Sequence, residues 1–210
     1  MAGTRLPAAL AAVLLWLSCG QALARAPEFR LADDAMPPAE RAATLQLLEQ
    51  GRERLSRAWS PARDRPIAFA WRDDLPGGVH GRAKHWSIAL DRRLLAGWMA
   101  RPATAGDDDP ATRAALAALL HELAHLYDRT DAGGVSRDPR LLHLAGWQVA
   151  ALRPGRQARN DFGDRSPDPY ELQSPKEYVA VNLEHYLLDP DYACPPPALG
   201  AHQGADCGRA

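Results

Sequence analysis

Residues 111–129 read ATRAALAALLHELAHLYDR, and the way this stretch repeats decides the fold. Leu116, Leu119, Leu120, Leu123, Leu126 and Tyr127 recur at spacings of three and four, which places them on one broad face of a helix and makes that face the expected centre of a core. Asp107-Asp108-Asp109-Pro110 supplies the helix start, because acidic side chains favour the positive end of the dipole and proline is tolerated in the first turn. Gly133-Gly134 supplies the stop. The same helix carries His121-Glu122-Leu123-Ala124-His125. Residues four apart share a helix face, so both imidazoles can point at one zinc ion. Glu122 sits about 100° around from His121, close enough to act as general base on a water at the site without itself ligating. In the plainer alternative, His121 and His125 are polar residues on the exposed side of an amphipathic helix.

Outward from this helix, Ala42, Leu45, Leu48 and Leu55 describe an amphipathic helix between Pro37 and Trp59. Two β-like runs, Ile67 to Trp71 and His85 to Leu90, flank the turn-rich segment Asp73-Asp74-Leu75-Pro76-Gly77-Gly78, which suits a hairpin or two strands of a small sheet. Leu94 to Met99 reads as a short helix, Leu141 to Leu152 as another, and Pro175 to Leu188 as the last, stopped by Asp189-Pro190. A long connection rich in Pro, Gly, Asp and Asn runs from Arg153 to Ser174, of the kind that is functional or disordered in compact domains. The expected class is α+β, mainly helical, with a small sheet preceding the motif helix.

Two histidines leave a catalytic zinc site one protein ligand short. Glu177 and Glu184 lie seven apart near one face of the final helix, and either could meet the motif helix. Asp131 is the third candidate because its spacing from His125 resembles that of zincins with the pattern H-E-x-x-H-x-x-G-x-x-[HD], although Asp128 stands where that pattern needs a glycine to turn the chain back. Glu177 also has a structural reading: Ser174-x-x-Glu177 with Pro175 between them is a capping box, in which the carboxylate would bond back to the Ser174 backbone. Asp128, near one helical turn past His125, is placed either to orient an imidazole or to be a solvated helix-end charge.

The segment Glu177-Tyr178-Val179-Ala180 resembles the E-[FY]-x-A segment of gluzincin-like peptidases, among them the Mlc titration factor and the catalytic domain of anthrax lethal factor. The run from Ser174 through Cys194 resembles bacterial periplasmic proteins related to the N-terminal periplasmic domain of Lnb-type proteins. The resemblance covers roughly residues 121–194. It implies a zincin-like fold, with Glu177 as third zinc ligand. It further implies that Tyr170, seven residues before Glu177, donates a hydrogen bond to the oxyanion formed during hydrolysis; the alternative for Tyr170 is a packing aromatic. By the same analogy the strand containing His85, Trp86 and Ser87 to Leu90 holds an extended substrate, the alternative being a core strand. His143 and Trp147 share a helix face suited to packing, and His185 and His202 receive no role.

Composition limits the partners. Twenty-five Lys and Arg against 26 Asp and Glu give a net charge of -1, with no basic stripe for nucleic acid or an anionic membrane. Arg5, the apolar run Leu6 to Leu17 and Ala22-Leu23-Ala24 form a signal peptide over residues 1–24, with Ala26 an alternative cleavage point. A lipoprotein reading through Cys19 is disfavoured by Trp16. No later apolar run is long enough to span a bilayer. Residues 25–210 are expected to form one periplasmic or secreted domain, with Cys194 and Cys207 paired in a disulfide. The expected activity is that of a zinc metallopeptidase acting on a peptide or protein substrate in the cell envelope. The alternative is a non-catalytic envelope scaffold that keeps the same framework.

Overall fold

A computed structural model describes residues 28–58, 65–102, 104–128, 134–144 and 169–188. The architecture is α+β. Strand β1 (Phe29–Leu31) leads into helix α1 (Pro38–Ala58), followed by β2 (Ile67–Arg72), β3 (Gly81–Lys84) and β4 (Ser87–Asp91). Helices α2 (Arg92–Ala100), α3 (Pro110–Asp128), α4 (Pro139–Leu144) and α5 (Pro175–Leu188) complete the described elements, with 3₁₀ turns at Val135–Arg137 and Pro169–Gln173. No helix among the described residues is long and apolar enough to cross a membrane. The expected signal segment, Cys19, Asp131, Trp147, His202 and the expected Cys194–Cys207 pairing lie outside the described residues, as does the continuation of α4 expected toward Leu152.

The sheet order is β1-β2-β4-β3, with β1, β2 and β4 parallel and β3 antiparallel to β4. Of the two arrangements expected for the apolar runs, they form two strands of a small sheet and not a hairpin. Ala68 to Arg72 pair in parallel with Ser87 to Asp91, and the hairpin partner of β4 is β3. The connection from 73 to 86 is long enough to return the chain in the same direction, as a parallel pair requires. His85 occupies the β3–β4 turn with φ of 48°, a left-handed conformation, so it and Trp86 are turn residues and not the start of a strand. β1 has three residues and β3 reads Gly-Arg-Ala-Lys, so neither carries an alternation long enough to mark a strand.

Ile67, Phe69, Trp71, Ile88 and Leu90 project to the helical side and are buried, as the period of two demands. The leucine face of α3 is buried as expected, from Leu116 to Tyr127. This helix is the central beam, packing on α5, α2, α1 and β3. Asp109 starts it by accepting the Thr112 backbone N–H at 2.7 Å.

The face expected for α1 is offset. Leu45 is exposed, and Thr44 and Leu47 are buried beside Leu48 and Leu55. The polar Thr44 is admitted because its hydroxyl donates to the Glu40 carbonyl at 2.7 Å and accepts the Trp71 indole N–H at 2.8 Å. The Trp98 indole N–H donates to the Ala43 carbonyl at 2.9 Å, so two tryptophans fasten α1 to the sheet and to α2. Thr44→Val keeps the shape and removes the acceptor of a buried N–H. A stability loss of about 1–3 kcal/mol is expected, read as a lower urea midpoint at unchanged slope.

Candidate metal centre

Helix α3 presents His121 and His125 one turn apart, and neither faces open solvent: their side chains are only 13% and 18% exposed. The rings stand nearly perpendicular, at 85°, with centroids 4.7 Å apart. Across from them, α5 brings in Glu177 from its first turn. One carboxylate oxygen, Oε2, lies 3.1 Å from His121 Nε2 and 3.2 Å from His125 Nε2. One donor atom from each of the three residues falls within 4.8 Å of the others. Two imidazoles and one carboxylate form a donor set typical of an open zinc site, so the residues present fit that ion.

The local sequence explains why Glu177 is available. Ser174 caps α5 as expected, its hydroxyl accepting the Glu177 backbone N–H at 3.2 Å, and Pro175 opens the helix. Only this half of the capping box forms, and the Glu177 carboxylate turns instead toward the two histidines.

The electrostatics follow from the same contacts. Burial alone would lower His121, but hydrogen bonds to the Glu177 and Glu184 carboxylates outweigh it and hold the imidazole up at about 9. Burial would raise Glu177, but hydrogen bonds from His121 and His125 outweigh it and hold the carboxyl down at about 2. In the metal-free chain the His121 contribution to stability is therefore complete below the ordinary histidine value and is lost as pH rises through about 9. The Glu177 contribution is complete above the ordinary carboxylate value and is lost as pH falls through about 2. A zinc ion at this site would need a neutral imidazole and would have to displace a proton from His121. Apparent zinc affinity is thus expected to rise about tenfold per pH unit between pH 6 and 8, measured by competition with a chromophoric chelator. A flat profile over that range would contradict the assignment of His121 as a donor.

Glu122 lies against β3 at Gly81, with only 7% of its surface exposed. Burial pushes its carboxyl above the usual range, and the His121 and His125 charges and the Ala83 backbone amide pull it partly back. Gly81 makes this position possible. A Cβ there would lie 2.6 Å from Glu122 Cγ, 2.7 Å from its Oε1 and 2.9 Å from Leu90 Cδ2.

Glu184 takes the other edge of the His121 ring, with Oε2 3.2 Å from Nδ1. Tyr170, on the 3₁₀ turn before α5, sets its ring centroid 5.9 Å from that of His121 and is half exposed. Sequence reasoning missed the residues that hold this turn. The buried Glu171 carboxylate accepts the Asn182 side-chain N–H at 2.8 Å, tying the turn to α5. Asn182 was visible as a polar residue inside Val179–Leu183, a signal of a buried partner. Neither reading of Asp128 holds: it is buried and not a solvated charge, and its carboxylate turns from the histidines to accept the Ser136 backbone N–H at 2.7 Å and the Ser136 hydroxyl at 2.6 Å, closing the corner after α3. Gly134, at φ of 75°, passes over the Asp128 carbonyl there, where a Cβ would approach to 2.1 Å.

A cleft of about 510 Å³ runs along α3 to these residues. Ala114, Ala117 and Ala118 line it, with Leu94 opposite, and His121, Glu122, Tyr170 and Glu184 also face it. A smaller hollow of about 290 Å³ on the outer face of the sheet is lined by Arg72, Arg82 and Lys84 and holds none of the motif residues.

A family described as a domain of unknown function, DUF7844, matches residues 28–134 and 132–207 of the chain. Comparison with curated proteins and with solved structures finds no match to either.

Proposed function

We propose that this chain, which belongs to the DUF7844 family, is a zinc-dependent hydrolase of peptide or related amide bonds, exported to the cell envelope. The observation that carries the reading is the convergence of the His121, His125 and Glu177 donor atoms beside a buried Glu122 carboxylate, at the edge of a cleft. We read the frame as zincin-like: a small sheet comes first, then the helix with both histidines, then a later helix with the closing acid. The export assignment rests on the signal-like residues 1–24.

His121, His125 and Glu177 would hold the ion, which when bound lowers the pKa of water and polarises a carbonyl. Glu122 takes the proton of the water that attacks the carbonyl carbon, and its raised pKa suits a group that must then return that proton. The proton passes to the amide nitrogen, the C–N bond breaks, and an amine and a carboxylate leave. The Tyr170 hydroxyl donates to the oxygen of the attacked carbonyl while it carries charge. Glu171 and Asn182 keep that tyrosine beside the histidines.

Glu122→Gln tests the assignment. The variant is expected to keep its zinc and to lose about 10²–10⁴-fold in kcat on a peptide library, with chelator-treated wild type as control. Unchanged cleavage by the zinc-loaded variant would overturn the mechanism. Zinc uptake by a wild type that cleaves nothing would favour the scaffold.

A further inference from the structure

We infer that Glu184 is the positioning residue of this centre: it holds the Nδ1–H of His121 and so fixes the tautomer that presents the Nε2 lone pair to the ion. The inference rests on the hydrolase reading for the identity of the ion, and it divides between two acids a task that their spacing leaves shared.

Glu177 and Glu184 approach the same imidazole from opposite edges. Glu177 Oε2 is shared between Nε2 of His121 and Nε2 of His125, which marks the side of the ring where donors converge. Glu184 Oε2 meets Nδ1, on the far edge. A neutral imidazole has one N–H and one lone pair, and an ionised carboxylate can only accept. In the metal-free chain both nitrogens face a carboxylate; with an ion on the Nε2 lone pair, the one remaining hydrogen sits on Nδ1, where the Glu184 carboxylate accepts it. This raises the basicity of the ligand and fixes its ring orientation, as outer carboxylates do at other histidine–zinc sites. The Glu184 and His121 side chains are 21% and 13% exposed, so the bond is partly shielded from water.

Zinc affinity of the full chain, measured by chelator competition, decides the matter without reference to turnover. Glu184→Ala is expected to bind zinc about ten- to a hundredfold more weakly than wild type. Glu184→Gln retains an oxygen acceptor of the same length and is expected to recover most of that loss. Circular dichroism of the metal-free variants controls for folding, and the isosteric glutamine carries the test if the alanine variant does not fold. An unchanged affinity in Glu184→Ala overturns the inference. So does a Glu184→Gln as weak as the alanine variant, since that would make the charge, or direct ligation, the source of the effect. A wild type that binds zinc and hydrolyses nothing defeats the hydrolase reading and leaves the role of Glu184 supported by its affinity data. A wild type that takes up no zinc overturns both.

Discussion

Glu177→Gln is expected to lose zinc affinity by more than about a hundredfold, beyond the range that removing an outer hydrogen-bond partner produces. The substitution keeps the volume and length of the side chain and removes the negative charge on which two imidazoles converge. A neutral amide oxygen is a poor substitute for a carboxylate at a divalent ion, and the two remaining histidines would hold such an ion weakly. The helix itself should survive, because its cap depends on the Ser174 hydroxyl and the backbone N–H of residue 177, neither of which is altered. Far-UV circular dichroism should therefore be unchanged while zinc competition and peptide cleavage both fail. Retention of tight zinc in this variant would transfer the closing role to Glu184 or Asp131.

Gly81→Ala is expected to reduce cleavage by about a hundredfold with zinc binding intact, because a 1 Å misplacement of a reacting group costs on that order. The added methyl lands on the side chain of Glu122, and its three nearest atoms belong to Glu122 and Leu90 and not to the three donor residues. Leu90 stands 2.9 Å away on the paired strand, so the methyl has no easy refuge on that side and the carboxylate must move. These nearest contacts are with side chains, which can shift while the strand remains in place. The measurement pairs kcat on a peptide substrate with the zinc stoichiometry of the same sample. A variant with wild-type turnover would show that the carboxylate's seat against β3 is irrelevant to the chemistry.

These two residues also mark where sequence reading succeeds and where it stops. The histidine pair, the leucine face of α3 and the span of α5 follow from helical periodicity and caps, which are local. Glu177 was reachable through a motif resemblance, yet its capping-box alternative could be removed only by seeing the carboxylate turn toward His121 and His125. Gly81 carried no signal, since its meaning lies in the approach of its strand to Glu122, on a helix far along the chain. The parallel pairing of β2 with β4 was hidden for a similar reason: apolar alternation reports which face of a strand is buried but not the direction of its neighbour. On α1, the apolar pattern placed Leu45 inward, whereas a threonine with two hydrogen-bond partners took the buried place.

The grip of α5 on His121 has a mechanical consequence. Glu177 and Glu184 begin about 10.5 Å apart along the helix axis, at a rise of about 1.5 Å per residue, yet their carboxylates close on two edges of a single ring. Sliding α5 by one residue, or turning it about its axis, would disengage at least one of them. The imidazole thus acts as a pawl that indexes one helix against the other, and it keeps the Glu177 carboxylate at the height of the two histidines.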